Sequence, residues 1–290
     1  MALVVAGVAP TAQARSGRRS GPRPAADPVP VLAIELHAPM MSYRAYVRQL
    51  LGTLQIQLGT LSARLAAGDV AGAESAWVAA HLSWLRIGQD DGAYGAFGDI
   101  GRQIDGTAAG LVDGTADPAF TGFHKVELDL WTRGDPGAAT ADAAVLARLV
   151  RRLAARPLAD ALPMNPTGLS TWTLRAHEIL EDALRDSLSG DDEYGSGTAL
   201  ASVTADVAAT GEMLTLLAPA LDPRAPRVVG RARRQLVAVD RAVQATRVAG
   251  DWVAVDRVPR ASRQRVDAAV GGALETLAPI PDVLHVLGGS

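Results

Sequence analysis

Between residues 42 and 67, apolar side chains recur at Tyr43, Tyr46, Val47, Leu50, Leu51, Leu54, Ile56, Leu58, Leu61 and Leu65. Steps of three and four place most of them on one face of a helix. Gly68-Asp69 ends that run, and a second helical run spans 71–87, with Gly88 as its C-terminal cap. Residues 88–118 then lose the period and carry eight glycines. A connection of that length is uncommon in a compact domain and is often functional. Asp117-Pro118 reads as the start of the next helix, over residues 120–131. Further helical periods cover 139–155, 170–188, 198–217, 226–249 and 259–277, with a polar loop at 190–197. No segment shows the alternation of a strand. The pattern predicts an all-α protein of seven or eight long helices with mostly short joints, for which antiparallel bundles are the natural packing.

Composition supports that class. Hydrophobic residues make up 48% and aromatics only 4% of the 290 residues, too few for the aromatic and β-branched runs of a sheet protein. A net charge of -3 gives no field suited to nucleic acid or an anionic membrane. There is no cysteine, which excludes disulfides, thiolate metal sites and a cysteine nucleophile. The metal ligands that remain are five histidines and many carboxylates, a set suited to iron, zinc, manganese or calcium. Residues 1–14 resemble a signal peptide: a short apolar run is followed by Ala12-Gln13-Ala14, although the usual positive start is missing. Residues 15–38 read as a flexible linker, and the helical domain is expected over 39–290.

The candidate chemistry centres on His124 and Glu127. Three residues apart on a helix, they lie on one face and can converge on one metal ion or one proton. His81 is a candidate third ligand. Asp99 and Asp105 lie in the glycine-rich connection, where carboxylates can close over an ion. Asp beside Gly is also ordinary turn chemistry. Asp129 is a further oxygen candidate. His177 and Glu181, one turn apart, form a second candidate cluster; Glu178 and Asp182 read instead as a hydrogen-bond network with Arg175. The acidic run 191–193 reads as a solvated loop. Arg224, Arg227, Arg231, Arg233 and Arg234 read as a solvated basic helix face.

Four stretches in register carry a resemblance: Ala79-Ala80-His81-Leu82-Ser83-Trp84-Leu85-Arg86-Ile87, Gly95-Ala96-Phe97-Gly98-Asp99, Gly122 to Glu127 with Trp131, and Arg175-Ala176-His177-Glu178-Ile179-Leu180-Glu181-Asp182. In order and spacing they resemble the EfeO/imelysin-like family, from about residue 42 onward. The resemblance implies two antiparallel four-helix bundles side by side, in the short form without a cupredoxin-like domain. It implies an exported component of a high-affinity iron uptake system, working beside a membrane permease and a haem peroxidase. Iron (Fe2+ or Fe3+) would be the transported ligand, with zinc or another divalent metal as an alternative. The family is also catalogued near a peptidase family. One departure stands out: a glutamate is common in the family where this chain has Leu85.

Three functions follow as expectations. The first is a metal-binding protein that captures iron around the His-x-x-Glu element and passes it to a permease. The second is a partner-binding paralogue whose metal site has decayed, which Leu85 favours. The third is a metallopeptidase, which the sequence supports least: no second histidine follows on the His124 helix as in zinc peptidases, and no serine triad stands out.

Overall fold

The computed structural model describes residues 31–89 and 95–286. The signal-like segment 1–14 and most of the 15–38 linker lie outside the described residues. The first long helix, α1 (Ala33–Ala66), begins earlier than its apolar period suggests, so residues 33–38 of the expected linker are helical. Its start is fixed by Glu35, whose carboxylate accepts the Leu32 N–H and pairs with Arg224. Leu36, Met40, Tyr43, Val47, Leu51, Leu54, Leu58 and Leu61 form its buried stripe.

The remaining elements follow in chain order. They are α2 (Val70–Leu85), α3 (Gly98–Asp105), α4 (Phe123–Glu127), α5 (Pro136–Ala154), α6 (Leu158–Ala161), α7 (Pro166–Asp182), α8 (Ala199–Leu221), α9 (Val228–Gln244), α10 (Arg260–Leu277) and α11 (Ile280–Val283). Among the described residues there is no strand, only two isolated bridges, so the all-α expectation holds. Three starts carry side-chain caps. Asp69 accepts Gly72 N–H, Asp135 accepts Ala138 N–H before Pro136, and Asn165 accepts Gly168 N–H before Pro166. Each satisfies an amide that has no partner within its helix, and proline in the first turn loses nothing by lacking one.

Asp117-Pro118 does not open α4, contrary to the sequence reading. Asp117 closes a turn on Ala119 and Phe120, and α4 begins at Phe123. Two helices end in a wider π-helical turn: Leu128–Thr132 continues α4, and Ala183–Ser187 continues α7. Such turns are rare and concentrate at functional sites.

The contacts sort the helices into two groups. In the first half, α1 packs on α2 and α5, and α4 lies against α2 and α5, with α3 against α4 and α5. In the second half, α7, α8, α9 and α10 pack in succession and α10 returns onto α7. The groups meet where α1 and α2 lie on α8 and α1 lies on α7. One continuous apolar core, with Trp77, Trp84 and Trp172 fully buried, runs through both. Among the described residues α8 alone is long and apolar enough to cross a membrane, and most of its apolar window is buried in this core.

Candidate metal centre

The site grows from a glycine. Gly122 precedes α4 with φ 85° and ψ -152°, a region open essentially to glycine alone. A Cβ there would lie 2.1 Å from the Ile104 carbonyl oxygen. The missing side chain therefore lets the start of α4 press on the end of α3, the helix that ends at Asp105. Thr121 donates its hydroxyl hydrogen to the Gln103 carbonyl across the same contact, at 2.8 Å. From α2, Trp77 Nε1 donates to the Phe123 carbonyl at 3.0 Å and holds α4 from the other side.

Three elements thus deliver three side chains to one point. His81 comes from α2, Asp105 from the end of α3 and His124 from α4. His81 Nε2 lies 3.0 Å from Asp105 Oδ1, and His124 Nε2 lies 3.5 Å from the same oxygen. The three ligand atoms all fall within 4.8 Å of one another. Ligands held at about 2.0–2.2 Å from a metal sit about 3–3.5 Å apart, so little movement would bring these around one ion. The imidazoles are packed by aromatic faces. His81 lies 4.8 Å from Trp77 and 5.0 Å from Phe123, ring centre to ring centre, and Tyr194 lies 5.4 Å from His124.

Glu127 is placed differently from the expectation that it is itself a ligand. Both its oxygens are occupied by protein donors. Oε2 lies 3.1 Å from His124 Nδ1, and Oε1 accepts the backbone N–H groups of Tyr194 and Ser196, each at 3.0 Å. A carboxylate on the far nitrogen of an imidazole fixes its orientation and raises its basicity. Burial works against a charged His124, but the Glu127 hydrogen bond and the charges of Asp105, Glu127 and Asp192 outweigh it and raise its pKa to about 9. Burial likewise opposes ionisation of Glu127, yet the His124 bond and the Ser196 amide bring its carboxyl down to about 2. At neutral pH the imidazolium bridges Glu127 and Asp105, and a cation arriving at Nε2 would displace its proton.

His81, Asp105 and His124 open onto a cavity of about 530 Å³, also lined by Leu85, Asp182 and Asp192. Asp99 lines the same cavity but stays 82% exposed and pairs with Arg102, away from the three. His177 and Glu181 do not line it. Their side chains approach each other at 3.4 Å, with Glu181 52% exposed and, among the described residues, no third ligand gathered beside them. Asp129 is fully buried in a separate network with Lys125 and Arg133, and Lys125 also reaches Asp142. Arg175 is fully buried and bonds Gly88 O, Glu178 and Asp182, the network expected from the sequence. The acidic run 191–193 is not a solvated loop: Asp192 faces the cavity, and Glu193 accepts the Gly197 and Ala199 amides at the start of α8.

The chain is similar in sequence to known proteins. The imelysin family model matches residues 40–164, the stretch that contains His81, Asp105 and His124. The iron uptake system component EfeO of Yersinia pseudotuberculosis is 24% identical over 261 residues, 89% of this chain and 67% of that protein. The protein of the same name from Escherichia coli is 23% identical over 258 residues, 87% of this chain and 65% of that protein. Over most of its length the chain is similar to EfeO proteins, and over residues 40–164 to the imelysin family. It spans about two thirds of the length of these relatives. Leu85, where the resemblance led one to expect a glutamate, lies on the cavity wall and supplies apolar surface but no ligand. Two features of the site escaped the sequence reading. Glu127 serves His124 because a loop far along the chain takes its other oxygen, which helical spacing does not reveal. Asp192 reads as solvent-facing because its neighbours Asp191 and Glu193 are charged too.

Proposed function

We propose that this protein is an exported component of an iron uptake system. It takes up Fe(II) at His81, Asp105 and His124 and passes it to a membrane permease that works with a haem peroxidase. The observation that carries this reading is the convergence of His81 Nε2, Asp105 Oδ1 and His124 Nε2 at the wall of an open cavity. Two imidazoles and one carboxylate with free positions toward solvent are a donor set suited to Fe(II), and one that also accepts zinc. Three protein ligands and an open side favour exchange over permanent retention, as a carrier requires. Glu127 and the aromatic wall hold the imidazoles in place and would not bind the ion.

Anaerobic calorimetric titration of the metal-free protein with Fe(II), and with Mn(II) and Zn(II) in parallel, tests this. The reading expects saturation near one equivalent, and at least about a hundredfold loss of affinity in His124→Ala with helicity retained. Binding unchanged by that substitution would refute the assignment. A second reading, a partner-binding protein without metal, is favoured by Leu85 on the cavity wall. It would be supported if the wild type binds none of the three metals.

A further inference from the structure

The cavity has a second wall, supplied by the other half of the chain. Beyond α7, the π-helical turn places Ala183, Arg185, Asp186 and Ser187 along it. The loop that follows is clamped to the first half of the chain. Tyr194 and Ser196 donate their amides to Glu127, and the Tyr194 hydroxyl accepts the Ala108 N–H at 2.7 Å. Asp192 sits inside this clamp, facing the cavity and close enough to His124 and His81 for their charges to act on it. Its two oxygens are treated unequally. Oδ2 accepts the Ser187 hydroxyl at 2.7 Å, whereas Oδ1 is buried without a hydrogen-bond partner among the described residues. A buried carboxylate oxygen left without a donor is costly, and such groups concentrate where a ligand supplies the missing partner.

We propose that Asp192 is the closing ligand of the site: its free oxygen, which stands outside the group of three mutually close ligand atoms, takes through one bound water the divalent cation that His81, Asp105 and His124 receive. The proposal rests on the metal-site reading above. It adds that the ion is held between the two groups of helices, not by the first half alone. Binding then draws the 190–197 loop further onto the site, and the same loop orients His124 through Glu127. Release toward a partner would begin with withdrawal of Asp192, leaving the three-ligand set open.

The test uses the full chain, with Mn(II) and Zn(II) as probes, in calorimetry and in thermal melts without metal. Asp192→Asn should still bind one equivalent, but about tenfold or more weakly. Its metal-free melting temperature should not fall, because a buried charge with an unpaired oxygen has been removed. Ser187→Ala keeps the carboxylate and should bind within about threefold of wild type. Wild-type affinity in Asp192→Asn would overturn the proposal. So would a weaker Asp192→Asn whose metal-free melting temperature also drops, since packing would then explain the loss. Equal losses in the two variants would overturn it for the same reason. A wild type that binds no metal would instead sink the metal-site reading, and is distinguishable from failure of Asp192 alone.

Discussion

Two helices of this protein carry a histidine with a glutamate one turn away, and they meet different fates. His124 and Glu127 sit on α4, a helix of barely more than one turn wedged between α2 and the end of α3. His177 and Glu181 sit on α7, seventeen residues long and regular, with Glu181 half exposed. The short, constrained helix gains partners from three other segments: His81, Asp105 and the 194–196 amides. The long helix leaves its pair alone. Spacing on a helix creates a pair of ligands; whether it creates a site depends on which other backbone is brought within about 3 Å of the pair.

That comparison can be broken most forcefully at Gly122. Gly122→Ala forces a Cβ onto the Ile104 carbonyl and into a backbone region closed to alanine, so it should cost about 2 kcal/mol or more of stability. A thermal melt should show the loss, and metal affinity should fall with it as α3 and α4 part. A variant with unchanged melting temperature and affinity would mean the α3–α4 contact does not build the site. Glu127→Gln is gentler. It keeps the shape and removes the charge that orients and charges His124, so affinity for Mn(II) should fall about 10–100-fold. The His124 pKa, followed by NMR in the metal-free protein, should drop from about 9 toward its ordinary value. The sign follows from the raised pKa. The His124–Glu127 pair stabilises the wild-type fold fully between the unfolded glutamate's pKa of about 4.5 and the unfolded histidine's of about 6.5; this contribution fades as pH rises through about 9 or falls through about 2. In the variant that pH dependence should flatten. The smallest effect is expected at His177→Ala, which should leave metal affinity within about twofold and stability nearly unchanged, since surface pairs contribute little. A tenfold loss there would make the second pair a site after all.

The helices were largely legible because their apolar period is long, but two caps went unread: Asp135-Pro136 and Asn165-Pro166 start α5 and α7 before the periods at 139 and 170, and Asp69, read as the end of the first run, caps α2. Asp117-Pro118 misled because the same pair also makes turns, and the real break before α4 is a glycine whose need shows only against Ile104. At the site, His81, Asp105 and His124 were all candidates in the sequence, His124 through its helical spacing to Glu127 and Asp105 through its place in the glycine-rich connection. What separated Asp105 from Asp99 was position at opposite ends of α3: the last residue faces inward under Gly122, while the second pairs with Arg102 in solvent. Asp192 was hidden because loop burial is a tertiary property that no local pattern reports.

The most direct test of the account is an anomalous difference map from crystals of the metal-free protein soaked in Mn(II). The account predicts one dominant peak bounded by His81 Nε2, Asp105 Oδ1 and His124 Nε2, on the side facing Asp192. A peak at His177 and Glu181, or one coordinated by Glu127 in place of Asp105, would contradict it.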